Sequence, residues 1–328
     1  MKRYNNLFTA ITDIENIQLA VYNASRGKAH YREVKQIMKN PDAIAHQISE
    51  LLVNKSFKNA PYIHFSSMQY GKKREIYKLP FYPDRIIQHA VCQVLEPIWD
   101  AQYIRDTFAC IKGRGIHDGV QRVKDALSSD PNGTAYCLKI DIKKYYPSVN
   151  NSALKAIVRI KIKCKDTLWL LDEIINSHQG LPIGNYTSQH LSNIYLSGFD
   201  HFVKEKLKIK HYFRYCDDIV MLSATKTELW NTYKAVESYL DNELKLQIKD
   251  NYQVFPVQSR GIDFLGYRFF HKYTLLRKSI ATKMKRRVRQ ISKHAAPHKS
   301  KSVRSTLASY SGWMKHANCH NLKMVWMP

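Results

Sequence analysis

The chain has 328 residues, of which 44% are apolar, so it is long enough to bury a substantial core and too apolar to be disordered. Its 52 Lys and Arg residues outnumber its 27 Asp and Glu residues and give a formal net charge of +25. Such an excess predicts a polyanionic partner, with an anionic membrane surface as the competing interpretation. No run approaches 18 apolar residues and the N-terminus lacks an apolar signal core, which excludes a membrane-spanning protein and predicts a soluble, cytoplasmic one.

Residues 1–60 carry the apolar spacing of amphipathic helices, for example at Ile14 and Ile17 and again at Ile44 and Ile48. No pattern in this region points to chemistry. It is therefore interpreted as a helical N-terminal extension.

Three cations follow Gly71 at the entry to a predicted strand, namely Lys72, Lys73 and Arg74. A solvated hairpin tip and a phosphate-binding tip explain this pattern equally well. In the second interpretation the planar, permanently charged guanidinium of Arg74 holds phosphate oxygens, assisted by a neighbouring lysine.

A short apolar strand over residues 136–140 ends at Asp141, and Tyr145 and Tyr146 follow. A single Asp after a strand is commonly a helix cap or a turn former. Here it is one of two acidic strand ends, because a second acidic position occurs further along the chain.

That second position is the pair Asp217 and Asp218, between the aromatic run of residues 212–215 and the apolar run of residues 219–222. Both runs favour strands, so the pattern predicts a strand, a tight turn and a strand. Neighbouring side chains of a straight strand point to opposite faces, and the two acids can share a cation only if the chain bends between them.

Acidic ends of two strands suit a pair of divalent ions that clamp the attacking and leaving oxygens of a phosphoryl transfer. Two Mg²⁺ ions are predicted, because hard oxygen ligands and substrate phosphates complete the coordination of this ion. The predicted metal ligands are Asp141, Ile142, Asp217 and Asp218, and the three acids are the predicted catalytic residues.

An aromatic-Cys-Asp-Asp turn, preceded by an Asp that a Tyr follows five residues later, resembles the palm of a reverse transcriptase. The similarity extends from about Lys72 to Asn321 and includes the segment Pro83 to Val91 with its Asp-Arg-apolar-apolar-Gln pattern. The resemblance implies RNA-templated polymerisation of deoxynucleotides on an α+β right-hand fold, with fingers, a palm of antiparallel sheet plus helices, and a helical thumb.

The same resemblance implies four regions. They are a helical N-terminal extension (1–60), fingers with part of the palm (61–135), a palm with a fingers insertion around 150–180 (136–270), and a basic helical thumb (271–328).

The resemblance also assigns binding residues. Lys72 and Arg74 match the fingers motif that contacts the incoming nucleotide, and Tyr146 matches an aromatic steric gate beneath the sugar, where the alternative is core packing. The primer grip corresponds to Phe264, Leu265 and Gly266. Arg114 is a candidate phosphate contact, with a structural salt bridge as the alternative.

The segment from Leu181 to Gln189 indicates which class of reverse transcriptase the chain resembles. Thr187 and Ser188 can cap the helix that follows, and this is the plain structural interpretation. Most reverse transcriptases carry Gln before the Gly and Pro after the Ser, whereas this chain has Ile183 and Gln189. That combination resembles the reverse transcriptases of diversity-generating retroelements, which are encoded by bacteria or phages.

Such enzymes copy a template-repeat RNA into cDNA with errors at its adenines and act with a helical, oligomeric accessory variability determinant protein. These partners, together with dNTPs and the RNA/cDNA duplex, are what the resemblance implies here. Ile183 cannot make the hydrogen bonds of an amide, so it is predicted to contribute to adenine infidelity.

The segment from Phe264 to Pro328 contains no Asp or Glu, and its cations concentrate on two predicted helices separated near Pro297. A charge run is usually a solvated face, but a single sign repels itself without a polyanion. The predicted nucleic-acid contacts of this thumb are Lys283, Lys285, Arg286, Arg287 and Arg289. A possible metal cluster of His316, Cys319 and His320 lacks a fourth ligand at finger spacing.

Intron-type enzymes place a Lys where this chain has Tyr252, so the general acid is left open between Lys249 and another group. Two alternatives remain. A group II intron or retron enzyme would share the catalytic acids, and a non-catalytic RNA-binding scaffold would explain the charge but not three acids at strand ends.

Overall fold

The computed structural model describes residues 2–69, 71–292 and 301–320, without the side chains of Gln69, Lys72, Ser292 and Lys301. The chain folds into two compact units. Unit 1 comprises residues 1–104, 143–201 and 239–247, and unit 2 comprises residues 105–142, 202–238 and 248–328. The division into extension, fingers, palm and thumb stays a prediction.

The described residues contain both helices and strands. The helices are α1 (Leu7–Thr12), α2 (Ile14–Ser25), α3 (Arg32–Ile37), α4 (Pro41–Val53), α5 (Ile86–Asp100), α6 (Ile116–Ser129), α7 (Tyr145–Ser148), α8 (Asn151–Lys161), α9 (Lys165–Asn176), α10 (Thr187–His201), α11 (Lys226–Leu244), α12 (Val257–Arg260), α13 (Lys278–Ser292) and α14 (Lys301–Lys315). The strands are β1 (Ile63–Gln69), β2 (Lys72–Lys78), β3 (Tyr136–Asp141), β4 (His211–Tyr215), β5 (Asp218–Ser223), β6 (Gln253–Pro256), β7 (Ile262–Phe264), β8 (Tyr267–Phe269) and β9 (Thr274–Leu276). Short π-helical turns occur at Phe81–Arg85 and Phe202–Lys206.

Unit 1 is mostly helical, and its helices α1 and α2 pack on α5. Ile17 and Val21 of α2 are fully buried where α2 meets α4 and α5. The start of α4 follows from its sequence: the side-chain oxygen of Asn40 accepts the N–H of Ala43, and Pro41 occupies the first helical position. The amphipathic pattern thus becomes a buried helical layer.

The hairpin of β1 and β2 belongs to unit 1 and is joined to the loop before α10. The two strands are antiparallel, with Ser67 opposite Arg74. The N–H of Tyr77 donates to the carbonyl oxygen of Ile183 at 2.8 Å. Gly184 has φ 137°, and a Cβ there would lie 2.3 Å from the carbonyl oxygen of Tyr77, so only glycine fits this close approach.

Unit 2 is built on a four-stranded antiparallel sheet with the strand order β4-β5-β3-β6. The apolar run from Ile219 to Leu222 in β5 is buried along its whole length. Such a continuous run is typical of a central strand covered on both faces. The sheet therefore holds the ends of β3 and β5 at fixed positions.

A second, three-stranded sheet in unit 2 has the order β7-β8-β9 and shares a core with the helices around it. The core joins both sheets to α6, α13 and α14 through buried side chains, among them Val120, Val123, Phe213, Val220, Phe264, Tyr267, Phe269, Met284 and Met314. No helix among the described residues has the length and apolar character needed to cross a bilayer.

Candidate functional site

The three predicted catalytic acids lie together at one end of the four-stranded sheet. Asp141 is the last residue of β3, and its Cα pairs with that of Asp218, the first residue of β5. Cys216 and Asp217 form the turn between β4 and β5, with Cys216 in the left-handed region at φ 54°. The carboxyl groups of Asp217 and Asp141 are close enough for each to feel the charge of the other. The expected bend between the paired acids is thus present.

Burial and crowding set the electrostatics of these acids. Burial, followed by the adjacent charge of Asp141, raises the pKa of Asp217 to about 6. Burial also raises the pKa of Asp218, and the ammonium group of Lys139 opposes this shift. Two carboxylates at such short range repel each other unless a cation compensates them.

Two lysines provide part of that compensation. Lys249 forms an ion pair with Asp141, and its backbone N–H donates to the carbonyl oxygen of Asp141 at 2.9 Å. The Nζ of Lys139 lies 3.2 Å from Oδ1 and 3.4 Å from Oδ2 of Asp218. Lys249, considered from the sequence as a general acid, therefore lies beside the carboxylates.

The residues present fit a divalent cation. Within the described part of the chain, Oδ1 of Asp141 is buried and has no hydrogen-bond partner. A buried carboxylate oxygen without a partner is costly, and a hard cation satisfies it. The fit rests on Asp141 and Asp217, since no group of three or more acidic, His or Cys side chains is arranged as a metal cluster in the described residues. Ile142 has a buried apolar side chain, so only its backbone carbonyl can act as the predicted ligand.

The predicted primer grip is the tight turn between β7 and β8. Phe264 pairs with Tyr267, and Leu265 and Gly266 have φ of 52° and 86°. The side chains of Phe264 and Leu265 are buried, so the backbone is what this turn can present to a ligand. A Cβ on Gly266 would lie 2.6 Å from Trp313, so packing against α14 already requires this glycine.

A comparison with known protein families identifies the family of this chain. Residues 58–269 match the model described as "Reverse transcriptase (RNA-dependent DNA polymerase)". The chain belongs to the reverse transcriptase family. The matched region contains the three acids and the hairpins that flank them, and reverse transcriptase domains generally use divalent metal ions.

Curated relatives that match the chain include a protein encoded by a group II intron. Protein YkfC of Escherichia coli K12 is 25% identical over 247 residues, which is 62% of this chain and 64% of that protein. The group II intron-encoded protein LtrA of Lactococcus lactis subsp. cremoris is 25% identical over 151 residues, 43% of this chain and 24% of LtrA. The chain thus spans less than two thirds of either relative.

Solved telomerase structures share the fold of this reverse transcriptase. Telomerase from Candida albicans, in complex with the TWJ fragment of telomeric RNA, gives a TM-score of 0.52 at 11% identity and covers 72% of this chain and 51% of its own. Apo telomerase from Candida tropicalis without its C-terminal domain gives 0.50 at 14% identity, with 72% and 60% covered. These likenesses confirm the predicted α+β right-hand polymerase fold.

The predicted nucleotide-binding residues of this reverse transcriptase all lie in unit 1. Arg74 is exposed on β2, and the side chain of Lys72 lies outside the described residues. Tyr146 is partly buried in α7, with its ring edge-on to Tyr145 and its hydroxyl oxygen 3.5 Å from Oγ of Ser192. Gate and packing roles for Tyr146 thus both remain predictions.

The loop before α10 is held differently from the predicted cap. The hydroxyl of Ser188 donates to the carbonyl oxygen of Pro182, and Oγ1 of Thr187 is buried without a hydrogen-bond partner in the described residues. Gln88 takes the capping role, because its side-chain oxygen accepts the N–H of Tyr186 at 2.8 Å. Gln88 stood out in the sequence only as part of a family pattern. Ile183 is partly buried on this loop, and Gln189 is exposed in the first turn of α10.

The predicted thumb contacts lie on one face of α13. Lys283, Lys285, Arg286, Arg287 and Arg289 are all exposed. Met284 and Ile291 are buried on the opposite face.

Arg114 is partly buried in unit 2, and its backbone N–H donates to the carbonyl oxygen of Ile111. His316 stacks on His117 with ring centroids 4.3 Å apart, and Cys319 is buried.

Proposed function

We propose that the chain is an active RNA-directed DNA polymerase that adds deoxynucleotides to a primer on an RNA template. The observation that carries this proposal is the convergence of Asp141, Asp217 and Asp218 at the ends of β3 and β5. Asp141 and Asp217 would hold two Mg²⁺ ions, with the carbonyl of Ile142 as a further ligand and Asp218 as a supporting carboxylate. The bound ions would supply charge stabilisation for phosphoryl transfer.

The residues of the chain have distinct tasks in this proposal. Arg74, with Lys72, orients the triphosphate, and the turn at Phe264 to Gly266 supports the primer end. The Nζ of Lys249 lies beside Asp141, so this lysine is positioned to act as the general acid for the leaving pyrophosphate. The exposed cations of α13 bind the phosphates of the RNA/cDNA duplex.

Primer extension tests the enzymatic proposal against the RNA-binding scaffold. Magnesium-dependent extension of a primed RNA is expected from the wild-type chain, with a loss of at least a hundredfold in Asp217→Asn because a metal ligand is weakened. Asp125→Asn, an exposed acid on α6 of the same unit, should retain wild-type activity. RNA binding without extension by the wild type would leave the scaffold as the function.

We further propose that the chain belongs to the class of diversity-generating retroelements, with a template-repeat RNA and a helical accessory variability determinant protein as partners in a bacterial or phage-infected cytoplasm. Support comes from Ile183 in the loop before α10 and Gln189 in the first turn of that helix. The carbonyl of Ile183 is bonded to β2, so its side chain has a fixed place beside the hairpin that carries Arg74. An apolar side chain there cannot check base-pair geometry by hydrogen bonding.

Sequencing of cDNA from Ile183→Gln tests this class assignment. Misincorporation opposite template adenines should fall severalfold relative to wild type, because an added hydrogen bond of about 1–3 kcal/mol restores discrimination. Ile183→Leu is the matched control and should leave the error spectrum unchanged. Faithful copying of adenine by the wild type would instead favour an intron-type enzyme, which the likeness to LtrA already makes the second candidate.

A further inference from the structure

Lys139 connects two parts of unit 2 that the proposed mechanism treats separately. It lies on β3 two residues before Asp141, so both side chains emerge from the same face of the strand. Its ammonium group contacts both carboxylate oxygens of Asp218, at 3.2 and 3.4 Å. The same Nζ donates to the backbone carbonyl oxygen of Asp263 on β7.

Asp263 is in turn connected, through Arg277, to the turn assigned to the primer end. The carboxylate of Asp263 accepts a hydrogen bond from Nε of Arg277 at 2.6 Å and pairs with its second guanidinium nitrogen. The backbone N–H of Arg277 donates to the carbonyl oxygen of Gly266 at 2.9 Å. Arg277 directly precedes α13. A continuous series of polar contacts therefore runs from Asp218 through Lys139 to the turn at Gly266 and the start of the basic helix.

The series is partly shielded from water. The side chain of Lys139 is 25% exposed and that of Asp218 is 30% exposed, so their attraction is screened less than that of a surface pair. Lys139 loses several rotamers by holding both partners at once. An ordinary surface ion pair would satisfy one carboxylate, whereas this lysine fixes a carboxylate and a strand backbone relative to each other.

We propose that Lys139 is a positioning residue, which sets the distance between the acidic centre and the primer-end turn by holding Asp218 and the backbone of β7 together. This inference rests on the proposed polymerase function. Lys139 touches neither substrate nor reacting atoms and acts through its two partners. Without Lys139 the three acids would stay together, but their distance from the primer-end turn would no longer be fixed. The chemical step would then be slower, because the reacting groups are less well aligned.

The charge of Lys139 gives this role a signature that simple structural damage lacks. A positive charge beside the acids repels a bound cation, so its removal should maintain or strengthen cation binding. The same removal should slow nucleotide addition. A variant that is merely misfolded would weaken both together.

The experiment compares Lys139→Met, Lys139→Arg and the matched control Lys204→Met. Lys204 is another lysine of unit 2, 28% exposed, which also bridges a carboxylate (Asp106, 3.7 Å) and a backbone carbonyl (Lys210), neither of which belongs to the three acids. Single-turnover incorporation of one dNTP is measured on a primed RNA, and Mn²⁺ binding to the protein without substrate is followed by electron paramagnetic resonance.

Lys139→Met should lower the single-turnover rate at least tenfold, with the KM for dNTP within twofold of wild type and Mn²⁺ bound at least as tightly. Lys139→Arg should recover at least a third of the rate, and Lys204→Met should stay within twofold. A rate within twofold of wild type in Lys139→Met, or Mn²⁺ affinity that falls together with the rate, overturns the inference. A wild-type chain without extension would instead remove the polymerase proposal itself.

Discussion

At the scale of the residue, Asp217 shows how local backbone and charge combine. The turn after β4 places Cys216 in the left-handed region, and the next residue then meets the carboxyl group of Asp141. Burial and that neighbour raise the pKa of Asp217 to about 6. Lysines form ion pairs with Asp141 and Asp218, whereas Asp217 forms none in the described residues, so the uncompensated charge of the site lies at Asp217 beside Asp141. That is where a divalent ion is best accommodated.

Gly266 is a second residue whose identity is set by its surroundings. It has φ 86°, and a Cβ there would lie 2.6 Å from Trp313 and 2.8 Å from Ile280. Both contacts belong to helices that follow the turn. This glycine is part of the predicted primer grip, and packing within unit 2 is an independent requirement for it.

Replacement of Gly266 by Ala should therefore destabilise the protein by about 2–4 kcal/mol, from the left-handed backbone and from overpacking. Urea denaturation measures this loss. Gly312→Ala is the control, because a Cβ at that position in α14 meets no atom within 4 Å. The control should stabilise by about 0.5–1 kcal/mol, since alanine favours a helix. Equal effects of the two substitutions would contradict the packing argument.

At the scale of the element, α13 divides its two tasks between two faces. Met284 anchors the helix in the core of unit 2 and Ile291 is also buried, whereas the cations between them remain exposed. Because the apolar side recurs at helical spacing, the cations are left on one side without acidic neighbours in sequence. A phosphate backbone is the partner that suits such a face.

The salt dependence of duplex binding tests this assignment. Lys285→Gln should reduce the slope of log K against log salt by roughly 0.9, the value for one lost phosphate contact. Fluorescence anisotropy with a labelled RNA/DNA duplex at several salt concentrations gives the slope. The control is Lys234→Gln, an exposed lysine of α11 in the same unit, which should leave it unchanged. An identical slope in wild type and Lys285→Gln would remove Lys285 from the duplex contacts.

At the scale of the whole molecule, the net charge of +25 and the family match both support the proposed nucleic-acid partner. The charge alone does not separate an enzyme from a scaffold, since both bind a polyanion. The acidic centre separates the enzyme from the scaffold. Its acids would only weaken RNA binding by a scaffold, whereas an enzyme needs them to hold its cations.

Much of this was predictable from local sequence. The apolar run of residues 219–222, the aromatic run before it and the paired acids between them predict a strand, a turn and a strand, because side-chain periodicity and turn chemistry act over a few residues. The family assignment and the right-hand fold also followed from such motifs. The assignment to diversity-generating retroelements rests on Ile183 and Gln189 and stays a proposal.

Contacts between distant segments depended on the tertiary structure. Lys139 and Asp263 are far apart in sequence and meet only because β3 and β7 are folded into the same unit. The side chain of Gln88 accepts backbone N–H groups at the start of α10, a role for which the sequence offered Thr187 and Ser188. Sequence patterns encode which residues can pair or cap, but which partner is chosen depends on the packing of segments that no local pattern relates.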